Sequence, residues 1–230
     1  MDRYRDLFFD LDHTLWDFDT NSRSALQELF NDYLNPLSTD FDRFHQTYVE
    51  VNDNYWQQYR AGRVTKKVLR IGRFRDALIR FGFDDEALSW TLADQYVKRS
   101  PYQTALFPYA IETLEYLREK GYQMHIITNG FEEVQHIKLE QSGLLPFFSK
   151  VITSEMVGQR KPHERIFRRA MQEATTTPDV SIMIGDNLEA DIKGAQHFGM
   201  DQVFFNPYQK AQDIRPTYVI EELRELREIL

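Results

Sequence analysis

The sequence predicts an α/β fold, a doubly wound parallel sheet interrupted by an inserted all-helical domain. Three observations carry that expectation. Short apolar runs alternate with helix-patterned segments over the second half of the chain, and one further apolar run stands alone near the amino terminus. Between them lies a long stretch with helical spacing and no comparable strand. Alternation of strand and helix argues for a parallel sheet covered on both faces.

Taken in order, Leu7-Phe8-Phe9 is a short apolar run that stops at acidic residues, as a buried parallel strand does. From about Thr20 to Ser100 the apolar residues fall three or four apart: Ala25, Leu29 and Tyr33; Tyr48, Val51 and Tyr55; Val68, Ile71 and Phe74; Leu88, Leu92 and Tyr96. Gly82 followed by Asp84-Asp85-Glu86 marks the end of one helix and the start of the next. After Ser100-Pro101, strands are predicted at His125–Thr128, Lys150–Thr153, Ser181–Ile184 and Gln202–Phe205. Gly121 and Gly199 each follow a helical pattern and precede a strand, where a left-handed helix cap is wanted. Residues 1–17 and 101–230 are therefore expected to form one core, and residues 18–100 a helical insert.

Composition narrows the function. Hydrophobic residues make up 42% of the 230, enough to bury a core rather than stay disordered. The net charge is −8 and the lysines and arginines are scattered, so a nucleic acid polymer is not expected as a partner. The lack of cysteine excludes disulfides, thiol catalysis and thiolate-bound metals. No apolar signal region follows Met1 and no run reaches membrane-spanning length, so the expected setting is cytoplasmic, without a membrane partner. The sequence carries no signal of oligomeric state.

Ligands of open parallel sheets bind outside the carboxyl ends of the strands. The first strand delivers Asp10-Leu11-Asp12-His13-Thr14, and in an extended segment Asp10 and Asp12 would point the same way. The second delivers Thr128-Asn129-Gly130, and the fourth Gly185-Asp186-Asn187 with Asp191 one helical turn onward. Gln159-Arg160-Lys161-Pro162 follows the third. Clustered carboxylates repel one another and call for a cation, and oxygen-only ligands suit magnesium. A lysine and a hydroxyl beside it can grip phosphate oxygens, while a carboxylate can serve as nucleophile. Singly, each fragment is as well explained by a helix cap or a turn. All four, in this order and each after an apolar strand, are not.

This ordered set resembles the haloacid dehalogenase superfamily of phosphatases, over essentially the whole chain. The resemblance implies that Asp10 is the nucleophile, while Asp12 acts as acid on the leaving oxygen and later as base for water. It implies phosphate-binding roles for Thr128, Asn129 and Lys161. Mg2+ would touch Asp10, the backbone carbonyl of Asp12, and Asp186, with Asp191 or Asn187 nearby. The insert looks like that family's small helical cap, which normally decides the substrate. Many members have glycine where this chain has His13.

The chain is also similar to the pyrimidine 5′-nucleotidase branch. The similarity rests on Phe8-Phe9-Asp10-x-Asp12-x-Thr14-Leu15, Gly62-x-x-Thr65 followed by Arg73-Phe74, Ile127-Thr128-Asn129-Gly130-Phe131, and Ser154-Glu155-x-x-Gly158-x-x-Lys161-Pro162. It implies hydrolysis of nucleoside 5′-monophosphates such as dUMP, dTMP and UMP. The run from Asn52 to Arg60 mixes aromatics, amides and arginine that could stack on a base and bond its edges. His13, Trp56, Arg73 and Phe131 are the expected substrate contacts. The nearest alternative is a phosphatase of another small phosphate, such as a sugar phosphate or phosphoglycolate. A non-catalytic phospho-receiver or binding protein is more remote, because a receiver needs only about half this length and no insert.

Overall fold

The computed structural model describes residues 3–35, 40–211 and 213–230. The chain divides into two compact units, Met1–Phe18 with Thr104–Leu230, and Asp19–Gln103. The divisions fall after residues 18 and 103, against the 17 and 100 read from the sequence.

The chain enters on strand β1 (Asp6–Phe9) and passes through α1 (Phe18–Leu29), α2 (Phe41–Arg60), α3 (Lys66–Ile79) and α4 (Glu86–Arg99). It returns by α5 (Ala110–Glu119) to β2 (Gln123–Thr128), α6 (Glu132–Gln141), β3 (Lys150–Thr153), α7 (Ser154–Val157) and α8 (Glu164–Ala174). Then follow β4 (Ser181–Gly185), a π-helical turn (Leu188–Lys193) running into α9 (Gly194–Phe198), β5 (Asp201–Phe205), β6 (Tyr218–Ile220) and α10 (Leu226–Ile229).

The strands of the first unit form one six-stranded sheet in the order β3-β2-β1-β4-β5-β6. Every pairing is parallel. The pleat sorts their side chains. Leu7, Phe9, Met124, Ile126, Ile182 and Ile184 join Leu114 and Leu117 of α5 in one core, while Phe8, Ile127, Ile152 and Met183 join Ile166 and Phe167 of α8 in the other. A sheet buried on both faces needs apolar residues at consecutive positions, which explains the unbroken run at residues 7–9. Gly121 and Gly199 end their helices at φ +89° and +83°, as expected. β6 was not expected, because three residues at a sheet edge leave too short an apolar signal.

The second unit is held by its own core. Phe44, Tyr48, Phe74, Leu78, Leu92 and Tyr96 are buried together, with the Tyr48 and Phe74 rings 4.9 Å apart. Thr65 and Asp85 cap α3 and α4 by accepting from Val68 N at 3.3 Å and Leu88 N at 2.9 Å. Val68, expected on the apolar stripe of α3, is 46% exposed, and Leu69 is buried in its place.

One polar cluster is built into the sheet itself. His125 is 3% exposed, stacks on Phe8 at 4.8 Å, and places Nε2 3.2 Å from Asp6 Oδ1. Asp6 Oδ2 accepts from Thr176 Oγ1 at 2.7 Å and Arg5 Nε at 2.8 Å. Burial lowers the His125 pKa, and its bond to Asp6 offsets only part of that. Below the ordinary value of 6.5 the unfolded chain therefore takes up a proton that the native ring resists, so stability is lost as pH falls. His125→Phe keeps the stacked ring and removes the titration. Its melting temperature is expected to drop less than that of the wild type between about pH 7 and pH 5; equal drops would contradict this account.

Candidate active site

The chain leaves β1 for β2 on one side, and β4 lies on the other, so the carboxyl end of β1 is the topological switch point of the sheet. Asp10 is the first residue beyond it, anchored by its backbone N–H to Ile184 O at 2.8 Å. The segment does not continue extended, as the sequence reading assumed. Leu11 O accepts from Thr14, Leu15 and Trp16 N, curling the chain into a turn, and His13 sits at φ +64°. That left-handed conformation favours glycine, and histidine holds it here. The His13 ring lies 4.6 Å from the Phe18 ring.

Lys161 reaches the same place from the loop between α7 and α8. The residue is 2% exposed, and Nζ donates to Asp10 Oδ1 at 2.8 Å and Ile127 O at 2.7 Å, and pairs with Asp191 Oδ1 at 2.6 Å. Two hydrogen bonds and one ion pair thus surround the buried ammonium. Burial works against its charge, but Asp10 and Asp191 outweigh burial and its pKa is raised. Asn129 fixes the backbone of Lys161 by donating Nδ2 to Lys161 O at 3.0 Å and accepting from Lys161 N at 2.8 Å. Its side chain, expected at phosphate, thus engages the protein first. Thr128 Oγ1 accepts from Gly130 N at 3.0 Å.

Asp10, Asp186 and Asp191 each offer a carboxylate oxygen, all within 4.8 Å of one another. Asp191 is fully buried and accepts from Asn187 N at 3.1 Å, while Asn187 Oδ1 caps the π-helical turn through Ala190 N at 2.9 Å. Gly185 makes room for it, since a Cβ there would collide with the Asp191 carboxylate. Burial, with Asp191 and Asp12 adding to it against Lys161, pushes Asp10 up to about 7. Burial, then Asp191 and Asp10, likewise raise Asp186 well above the usual carboxylate range. A lysine pair usually lowers a carboxylate, and here it does not suffice, because burial outweighs it and the neighbouring acids add to burial. This oxygen donor set, short of positive charge, fits a divalent cation.

Asp10 and Asp186, both expected at the metal, offer their carboxylates to this group, whereas Asp12 was expected there only through its backbone carbonyl. Asp191, expected only nearby, belongs to the group, and the Asp12 side chain does not. Asp12 turns toward α6, where Oδ1 pairs with Lys138 Nζ at 2.5 Å and Oδ2 accepts from Gln135 Nε2 at 3.1 Å. Sequence reasoning missed both partners. They lie more than 120 residues from Asp12, and polar residues three apart on a helix read as a solvated face.

The expected substrate contacts fare unevenly. Phe131 is buried at the N-cap of α6, beside Thr128-Asn129-Gly130. Trp56 is half-buried on α2, edge-on to Tyr59 at 5.7 Å. Arg73 is corrected: it is 4% exposed, donates to Asn52 Oδ1 at 3.0 Å, and places its guanidinium 4.7 Å from the Tyr96 ring centre. Its charge is engaged inside the helical unit, stacked on aromatics that a solvated arginine would not need.

The parallel sheet, with acids and a lysine at its switch point, has known kin. The family model of haloacid dehalogenase-like hydrolases matches residues 5–199, and the chain belongs to this family. It is 34% identical over 234 residues to YfnB of Bacillus subtilis, named as a HAD-hydrolase, covering 100% of this chain and 97% of the relative. The solved structure of YfnB, described as bound to magnesium and revealing interdomain movement, matches with a TM-score of 0.89 at 32% identity, covering 99% of this chain and 98% of that one. The pyrimidine 5′-nucleotidases PynA of Streptococcus pneumoniae and YjjG of Escherichia coli are 31% and 33% identical, covering 99% and 97% of this chain and 95% and 96% of theirs. A glyceraldehyde 3-phosphate phosphatase of Pyrococcus furiosus is 30% identical, covering 100% of this chain and 94% of its own. No helix among the described residues is long and apolar enough to cross a membrane.

The raised Asp10 pKa has a measurable sign. Without metal, the folded protein binds a proton up to about pH 7 that the unfolded chain releases near 3.8. That stabilisation is complete below the lower value and is lost as pH rises through the higher one. Chelator-treated wild type is expected to lose melting temperature relative to Asp10→Asn between about pH 4 and pH 7, and added Mg2+ to stabilise the wild type more at the upper end. A difference between the two proteins that is flat across this range would contradict the charge imbalance.

Proposed function

We propose that the protein is a magnesium-dependent phosphomonoesterase working through an aspartyl-phosphate, and that its substrates are pyrimidine nucleoside 5′-monophosphates such as dUMP, dTMP or UMP. The observation that carries the chemistry is the Asp10 carboxylate at the switch point, bound by Lys161 and facing Asp186 and Asp191. Asp10, Asp186 and the backbone carbonyl of Asp12, with Asp191 close by, would hold Mg2+, which would supply charge against the phosphoryl oxygens.

In this reading a carboxylate oxygen of Asp10 attacks phosphorus in line, the bond to the departing oxygen breaks, and Asp12 gives that oxygen its proton. Asp12, now a carboxylate, takes a proton from water as that water attacks the phosphorus, which frees Asp10 and inorganic phosphate. The Lys161 ammonium keeps Asp10 oriented and offsets charge on the phosphoryl group. The Thr128 hydroxyl accepts from Gly130 N, so its own proton is available to a phosphate oxygen. The helical unit is assigned the selection of substrate, and the absence of cysteine suits a cytoplasmic setting.

The nucleotide preference is supported by the relatives PynA and YjjG, and a sugar phosphate by the glyceraldehyde 3-phosphate phosphatase. The deciding experiment is phosphate release from a panel of nucleoside monophosphates and sugar phosphates, with and without Mg2+. Release is expected to require Mg2+, to favour dUMP, dTMP or UMP, and to fall by at least about a thousandfold in Asp10→Asn, the scale of a lost nucleophile. Release from sugar phosphates alone would overturn the substrate and keep the chemistry. Full activity in Asp10→Asn would overturn the chemistry.

A further inference from the structure

We infer that Lys138 and Gln135 are positioning residues that clamp the Asp12 carboxylate at the angle from which it serves the departing oxygen. The inference rests on the reading of Asp12 as the group that protonates that oxygen.

Both residues lie on α6, three apart and facing Asp12. Lys138 holds Oδ1 at 2.5 Å and Gln135 holds Oδ2 at 3.1 Å, so rotating the carboxylate breaks two bonds at once. Neither residue has the setting of an ordinary helix-surface side chain. Lys138 is 4% exposed, with Nζ 3.9 Å from the centre of the Trp16 ring, and Gln135 is 1% exposed. Burying an ammonium and an amide costs free energy unless their partners compensate. Among the described residues Asp12 is the carboxylate that pairs with Lys138, and Gln135 Oε1 has no hydrogen-bond partner. Gln135 therefore sits where its amide donates to Asp12, even though its own acceptor goes unmet.

Two further features serve this arrangement. A Cβ at Gly130 would fall on Gln135 Nε2, and Gly130 is not among the residues at positive φ. Glycine in Thr128-Asn129-Gly130 is thus required by space rather than by backbone conformation, and the space is filled by the clamp. The first turn of α6 is itself tied down, since Glu132 N donates to Glu155 Oε2 at 2.9 Å. Proton donation depends steeply on placement, and misplacing a reacting group by about 1 Å can cost on the order of a hundredfold.

The test uses leaving groups. For phosphate monoesters, kcat/KM reports the steps through departure of the alcohol; an alkoxide needs a proton to leave, and a dinitrophenolate does not. Lys138→Met, Gln135→Met and, as reference, Asp12→Asn are measured on alkyl phosphates and on 2,4-dinitrophenyl phosphate, with melting temperatures recorded for all. The clamp variants are expected to lose about 10- to 100-fold on alkyl phosphates and far less on the dinitrophenyl ester, a shallower copy of Asp12→Asn. Equal losses on both esters, or none, in folded clamp variants would overturn the clamp while Asp12→Asn keeps its leaving-group dependence. A flat profile for Asp12→Asn itself would overturn the reading of Asp12, and the clamp with it. Should Lys138→Met fail to fold, Gln135→Met decides alone, because it releases the other oxygen of Asp12.

Discussion

The Lys161 ammonium touches Asp10, Asp191 and the carbonyl of Ile127, and the geometry of the site follows from holding it. A buried ammonium with three protons needs three acceptors, two of them charged to offset its desolvation. One is supplied by the residue just past β1, one by the turn after β4, and one by the penultimate residue of strand β2. Their convergence is possible because β1 lies between β2 and β4 in the parallel sheet, with its carboxyl end at the switch point. Asn129 then holds the Lys161 backbone at the correct depth by matching both its N–H and its C=O.

That single cation leaves its acids under-neutralised. Asp10 and Asp186 both have raised pKa values, with burial the first cause and neighbouring carboxylates the next. A group in this condition has use for a second cation, and the donor set is all oxygen. The same shortage has an opposite outcome at Asp12, which lies outside the group and has its own ammonium in Lys138. Two carboxylates two residues apart thus receive different partners, one joined to the acidic group and one clamped against α6.

Much of this was legible in the sequence because it depends on local patterns. Five strands announced themselves as apolar runs ending at polar residues, and the positive φ of Gly121 and Gly199 followed from their place after helices. The meeting of Asp10, Lys161 and Asp186 was legible because each stands just past a strand or in the loop that follows one. What escaped depends on packing between distant segments. The turn at Leu11 hid the direction of Asp12, so neither Gln135 nor Lys138 could be paired with it. Asp191 read as a neighbour, since only the collision at Gly185 reveals how closely it lies. Arg73 read as a substrate contact because an arginine near aromatics looks alike on a surface and in a core, and only its burial distinguishes the two.

The measurement that tests the central claim most directly is rapid chemical quench of a turnover with phosphorus-labelled nucleotide, followed by peptide mapping of the denatured protein. A label that appears transiently on the peptide containing Asp10, is labile as an acyl phosphate is, and is lost in Asp10→Asn is the predicted result. Phosphate released at full rate with no label on the protein at any time, or a label on another residue, would contradict it.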